Sequence, residues 1–222
     1  MIETLLQPTD CLFLFVDYQA GLAFGVESIA RQAILNNAIS LARTAIVFNA
    51  PIVASTSASK VYSGPLLPSL QAVIPLVQPI ERRNMNAWED DKVRAAIAAT
   101  NRQRLIVAGL LTEACVTFPV LSALKEGYEV FVVGDACGGL SLMGHDLALR
   151  RMEAVGAKMT CWIQVMLEFQ RDWTRHDGDR LRSRYDSPRV AMRAKSFEDG
   201  AKQETNQCER YDGTKVYAGK PY

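Results

Sequence analysis

Leu105 to Cys115 read LIVAGLLTEAC, and Val116 to Lys125 continue as VTFPVLSALK. An apolar strand ends at Gly109, a short turn follows, and an apolar helical segment opens around a lone cysteine, Cys115. At the start of a helix the backbone N–H groups are unpaired and the helix dipole is positive. Those conditions lower a thiol's pKa from about 8.5 and favour the nucleophilic thiolate. The stretch therefore predicts a parallel α/β fold and a nucleophile, Cys115, on a strand-to-helix turn.

Working outward, apolar runs alternate with helical patterns. CLFLFVD (11–17) is a short, wholly apolar run closed by an acid, as expected of a central parallel strand. Residues 28–49 form an amphipathic helix, and PIVAST (51–56) a second strand. Residues 59–70 are turn-rich, and VIPLVQP (73–79) reads as a weak third strand. Helices are predicted over 90–100, 113–125, 145–155 and 165–175, and strands over 104–108, 129–135 and 157–162. Gly127 follows the 113–125 helix as a left-handed cap. Strands alternating with helices imply a three-layer α/β/α domain with a mostly parallel, six-stranded sheet, predicted over residues 1–176. From 177 onward charged and turn residues dominate, so 177–222 is predicted to be an extension packed on the surface or on a neighbouring subunit, not a second domain.

Composition narrows the function. A chain of 222 residues, nearly half of them hydrophobic, suits one full domain with a sizeable core. A net charge of +1 argues against a nucleic-acid or polyanion partner. No apolar run reaches the roughly 18 residues of a membrane span, and MIETLLQPTD lacks the basic region of a signal peptide. Five scattered cysteines, odd in number and without a C-x-x-C pair, fit a reducing compartment, hence the cytoplasm. Only His145 and His176 are present, which disfavours metal clusters and a Cys–His dyad.

In a doubly wound sheet, ligands bind at the carboxyl ends of the strands, where the strand order switches. Asp17 ends the first strand and Cys115 follows the fourth, so the two are predicted to meet. An acid straight after an apolar run needs a partner, and as a general base Asp17 could take the thiol proton and return it to a leaving group. Gln19 adds a second polar group at the same strand end. Arg82 and Arg83 precede NMNAWED and offer a fixed cation for a developing negative charge.

These residues carry a resemblance. Asp17 within FVDYQ, a basic residue ahead of NAW, and GLLTEACV followed by GYEVFVVGDA resemble the isochorismatase-like cysteine hydrolases, from about residue 11 to 173. The NAWED segment, TEACVTFPVLSALKEGYEVFVV and the CW…EFQRDW region are most similar to the YcaC-type subgroup. The resemblance implies an Asp/Lys/Cys triad. Its aspartate falls on Asp17 and its nucleophile on Cys115. Its lysine falls on Arg82, six residues before Trp88, and a one-residue slip would select Arg83. Arginine supplies charge but shuttles no proton. The resemblance also implies a cis peptide at Leu110–Leu111 and an oxyanion hole from the N–H groups of Leu111 and Cys115. Trp88 and Phe118 line the substrate pocket or serve as core and interface aromatics.

Absent motifs matter too. Where related nicotinamidases carry an Asp/His metal cluster, this chain has STSASKVYSG (55–64), so no metal is expected. No G-x-G-x-x-G follows the first strand and no P-loop exists, so no nucleotide cofactor is expected. GGLSLMG near Gly139 misses the G-x-S-x-G elbow by its closing glycine. His145 is read as opening a helix, with Thr112 and Glu113 fixing the turn and capping the next helix. The expected function is hydrolysis of a small amide-like substrate, cleaving C–N bonds other than peptide bonds through a covalent cysteine intermediate. The alternative is a weakly active or silent member serving binding or scaffolding, which the arginine would suit. A homo-oligomer, tetramer or octamer, is implied by the family.

Overall fold

Strand β1 (Cys11–Val16, CLFLFV) is buried at every position, as a strand covered on both faces must be. It lies between β2 (Ile52–Ser57) and β4 (Arg104–Gly109) in a six-stranded sheet ordered β3-β2-β1-β4-β5-β6. The other strands are β3 (Ile80–Arg82), β5 (Glu129–Val133) and β6 (Lys158–Thr160), and every pairing is parallel. This computed structural model describes residues 5–172 and Thr174. The predicted extension over 177–222, and Cys208 within it, lie outside the described residues.

Connections that step from β1 towards β3 and connections that step from β3 back towards β6 must lie on opposite faces, because parallel crossovers are right-handed. The first set contains α1 (Ala20–Phe24), α2 (Arg31–Val47) and α3 (Pro68–Gln71), and α2 packs against the final helix, α7 (Trp162–Gln170). The second set contains α4 (Asp91–Ala98), α5 (Thr117–Lys125) and α6 (Leu142–Ala154), with α5 packed on α6. The predicted three layers follow. Phe13 meets Phe169 of α7 edge-on at 5.8 Å, and Phe48 meets the same ring at 5.5 Å. Burial of such a ring contributes roughly 1.5–3 kcal/mol. Asp90 caps α4 through its carboxylate, which accepts from the N–H groups of Lys92 and Val93 at 3.0 and 3.2 Å.

Three predicted elements move, the last helix among them: expected over 165–175, it is α7 at Trp162–Gln170. Residues 73–79 are turns, not a strand. Val73 and Ile74 close back on Leu70, and Pro75 and Pro79 have no N–H to give a ladder. The edge strand forms instead at Ile80–Arg82, which puts Arg82 at its carboxyl end in register with Ser57. The helix predicted over 113–125 begins later. Thr112–Val116 make one π-helical turn, and α5 starts at Thr117.

The order 3-2-1-4-5-6 puts the switch point between β1 and β4. Their carboxyl ends approach closely there. A Cβ on Gly109 would lie 2.3 Å from the Val16 carbonyl oxygen, so glycine is what lets β4 end against β1.

Candidate active site

Each candidate side chain is set by the end of one strand. Asp17 leaves β1 in the left-handed region (φ 55°), which a short polar residue tolerates, and its N–H donates to the Ser55 carbonyl at 2.9 Å. The bend turns a fully buried carboxylate across the switch point. Arg82, at the end of β3, is also buried and donates through Nη2 to Asp17 Oδ2. Its Nη1 donates to the carbonyls of Asn84 and, at 3.1 Å, Met85. Ser57, at the end of β2, donates its hydroxyl to the same Asp17 oxygen at 2.8 Å. Cys115, half-buried in the π turn after β4, lies close enough to Asp17 and Arg82 for both to perturb its thiol. Strand ends far apart in sequence thus converge on one carboxylate, one guanidinium and one thiol. Between the two arginines of the sequence reading the structure is unambiguous: Arg82 is buried in this cluster and Arg83 is exposed.

The electrostatics differ from the sequence expectation. Burial pushes the Cys115 thiol up and the negative charge of Asp17 pushes it further, while Arg82 pulls it back only in part. The expected lowering fails for two physical reasons. Burial of the thiol is the larger, and the negative charge of Asp17 beside it is the second. Asp17 is likewise raised, by burial first, against the lowering pull of Arg82 and of the Ser57 and Cys115 hydrogen bonds. Burial thus disfavours the ionised form of both groups, and Arg82 offsets it in part for each. Asp17 Oδ1 is buried and accepts no hydrogen bond from a nitrogen or oxygen donor among the described residues.

The turn itself is held from both sides. The Leu110–Leu111 peptide is cis. Ala114 and Val116 both donate to the Leu111 carbonyl at 3.2 Å, and Thr112 N–H donates to the Gly138 carbonyl at 2.9 Å. Glu113 caps no helix. Its Oε1 accepts from Leu140 N–H at 2.8 Å, tying the turn to the segment before α6.

The family model of the isochorismatase domain matches residues 11–164, which contain all of these groups. The chain belongs to the isochorismatase family. It is 40% identical over 169 residues to the probable hydrolase YcaC of Escherichia coli, covering 76% of this chain and 81% of that one. Among solved structures it is similar to YcaC of Pseudomonas aeruginosa, determined with hexane-2,5-diol and covalent acrylamide. That likeness has a TM-score of 0.83 at 37% identity over 89% of this chain and 99% of that one. It is equally similar to Escherichia coli YcaC, described as an octameric hydrolase of unknown specificity, with a TM-score of 0.83 at 37% identity over 90% and 98% of the two chains.

Not every residue singled out in this isochorismatase-family sequence reaches the cluster. The Gln19 amide is buried and committed to backbone. Its Oε1 accepts from Ser57 N–H at 2.9 Å, and its Nε2 donates to the carbonyls of Ser57 and Gly64. It braces β1 to the end of β2. Trp88 stacks edge-on against Tyr128 at 5.2 Å, at the end of α5 remote from Cys115. With Ser122, Lys125 and Glu126 it lines a separate cleft of about 440 Å³. Phe118 is half-buried in the first turn of α5, three residues beyond Cys115.

Two residues escaped the sequence reading. Ser57 lies in STSASKVYSG, a stretch without metal ligands, and so holds no role in the sequence reading. Its position at the end of the strand beside β1 was the available signal. The sequence reads His145 as opening a helix, but α6 begins at Leu142 under a Ser141 cap. The ring of His145 is turned inward against Thr112, with Nδ1 2.8 Å from Oγ1. No signal in the sequence linked those two positions, 33 residues apart. Among the described residues no three His, Cys, Asp or Glu side chains gather as a metal site would require, and no helix is long and apolar enough to cross a membrane.

Proposed function

We propose that this protein is a hydrolase of small amide-like substrates that acts through a covalent intermediate on Cys115, cleaving C–N bonds other than peptide bonds. The observation that carries the reading is one half-exposed thiol placed beside a buried carboxylate–guanidinium pair at the switch point of the sheet. Asp17 takes the proton from Cys115 as Sγ bonds to the substrate carbonyl carbon. The N–H groups of Leu111 and Cys115 receive the oxyanion, and Arg82 balances the charge. The tetrahedral species collapses, the C–N bond breaks, and the amine leaves with the proton from Asp17. Asp17 then deprotonates a water that attacks the thioester, and the acid product departs as the proton returns to sulfur. The upward shift of both Asp17 and Cys115 supports these roles, because the step needs a carboxylate able to gain and lose a proton beside a thiol that is not already ionised.

The experiment is intact-mass spectrometry during turnover of a panel of small primary amides. An acyl adduct on Cys115 is expected, with no adduct in Cys115→Ala and a rate about 10²–10⁴-fold lower in Asp17→Asn. Hydrolysis that persists in Cys115→Ala would sink the covalent mechanism. Arg82 in the lysine position, engaged with the Asn84 and Met85 carbonyls, favours a second reading as a silent binding member. A panel that yields neither adduct nor product selects it.

The assembly proposed is a homo-oligomer, tetramer or octamer. Phe24, Leu140, Leu142 and Met143 are exposed apolar residues on neighbouring segments. Leu140 reaches Gly25 at the end of α1, where an added Cβ would lie 3.1 Å from its side chain. Apolar residues concentrated this way suit a subunit contact, and the Escherichia coli relative is octameric.

A further inference from the structure

Thr112 opens the π turn that carries Cys115, and it is wholly buried. Each of its polar groups has a different partner. The N–H donates to the Gly138 carbonyl at 2.9 Å. The carbonyl accepts from the Thr117 hydroxyl at 2.6 Å. The hydroxyl meets His145 Nδ1 at 2.8 Å. Leu111 immediately precedes this hub and Cys115 follows it by three residues. A rotation of Thr112 would therefore move both the thiol and the amide assigned to the oxyanion.

The three partners differ in kind. Gly138 and Thr117 hold the backbone and belong to the chain adjoining the turn or packed directly beneath it. His145 alone reaches Thr112 from α6, through side chains only, and it is almost fully buried in doing so. The charged groups that face its ring are Asp146 on its own helix and Glu113 on the turn. Both favour a protonated ring, yet burial outweighs them and pulls the imidazole below its ordinary value. A neutral ring makes a directional bond to the hydroxyl without placing another charge beside Asp17 and Arg82. A protonated one would pull the turn towards its own cation.

We propose that His145 is a positioning residue for the nucleophile, fixing the Cys115 turn through the Thr112 hydroxyl. The inference rests on the cysteine hydrolase reading. It does not make His145 a catalytic residue, since it touches neither thiol, carboxylate nor guanidinium.

The test uses the full chain and acrylamide as the probe. The second-order rate of alkylation at Cys115 is read by peptide mass spectrometry between pH 6 and 10, with half-buried Cys161 as the internal reference. In the wild type Cys115 is expected to react faster than Cys161 at neutral pH only through general-base help, Asp17 taking the proton as Sγ bonds, since burial and the Asp17 charge raise the resting thiol. His145→Phe fills the space and removes the bond. It is expected to slow Cys115 about tenfold at pH 7, as befits an ordinary hydrogen bond, and to leave Cys161 unchanged. Its rate should then climb with pH as an unassisted thiol's does. His145→Asn, which can return a polar atom near Nδ1, should restore the rate to within about threefold. Thr112→Val should reproduce the loss, and the double variant should be no slower than either single one. Wild-type alkylation kinetics in His145→Phe or Thr112→Val, or additive losses in the pair, would overturn the inference. So would a His145→Asn variant as slow as His145→Phe. A wild-type Cys115 that reacts no faster than Cys161 would overturn the hydrolase reading itself, a result distinct from all of these.

Discussion

Replacing Arg82 by leucine tests the electrostatic core of the site. The guanidinium and the Asp17 carboxylate are both fully buried and form an ion pair. Without the cation, Asp17 Oδ2 keeps only the Ser57 hydroxyl of its two donors. Removing one member of a buried pair costs about 3–5 kcal/mol, because the other charge is left uncompensated. At about 2–4 °C per kcal/mol for a domain of this size, Tm should fall by roughly 6–20 °C. The loss must also depend on pH. The Asp17 carboxyl already lies above its ordinary range through burial, and without Arg82 it rises further. A carboxyl raised in the folded state stabilises the fold at acid pH, and that contribution is lost as pH rises through the folded pKa. Arg82→Leu should therefore lie closer to wild type at pH 5 than at pH 7. Adding Asp17→Asn to Arg82→Leu should recover at least half of the pH 7 loss, since a neutral amide needs no counter-ion. The assay is urea unfolding by circular dichroism at both pH values and fixed protein concentration. A loss under about 1 kcal/mol at pH 7, or one indifferent to pH and to Asp17→Asn, would refute the argument that this pair neutralises itself in isolation from water.

Further outcomes are expected elsewhere in the molecule. Gly109→Ala should destabilise by about 1–3 kcal/mol and lower activity together with it, because the new Cβ meets the Val16 carbonyl at 2.3 Å and Asp17 is the next residue. Urea unfolding with parallel Cys115 alkylation checks both. Burial pushes the Cys11 and Cys137 thiols up to about 12. Their contribution is full below the unfolded value near 9 and is lost from there towards 12, at up to about 1.4 kcal/mol per pH unit for each thiol. Unfolding free energies between pH 8 and 10.5 should show this slope, shallower in Cys137→Ala. Leu142→Glu with Met143→Glu puts charge on the exposed apolar rim and should reduce the mass seen by light scattering. An unchanged mass would remove that rim from the subunit contact.

Legibility followed the physics of each signal. The central strands could be read because burial on both faces leaves an uninterrupted apolar run, as in CLFLFV and LIVAG. The edge strand could not. Ile80–Arg82 has three residues and one neighbour, so VIPLVQP upstream carried the stronger apolar pattern even though its prolines forbid a ladder. Asp17 and Cys115 were found because the switch-point rule depends on strand order alone. The bonds of Ser57 to Asp17 and of Gln19 to Ser57 and Gly64 were not legible, because pairing across a strand end depends on register. A slip of one residue would have exchanged their neighbours. The thiol's electrostatics were missed for a related reason. A helix start can be read from sequence, whereas burial of the thiol and the negative charge of Asp17 beside it depend on packing that forms only in the fold.

The arginine in the basic position changes the site's proton accounting rather than abolishing its chemistry. A lysine can lose its proton, so a carboxylate, thiol and lysine together present more than one labile proton. Arg82 remains charged throughout and is anchored by the Asn84 and Met85 carbonyls. In the proposed chemistry every proton step then passes through Asp17: it accepts from sulfur, gives to the amine, accepts from water and returns to sulfur. The guanidinium only holds the charge steady while this happens. A cluster of this kind needs no acid or base beyond the one carboxylate. For that reason its activity should stand or fall with Asp17→Asn, while Arg82→Lys, which keeps the charge, should retain more activity than Arg82→Leu under the same amide assay.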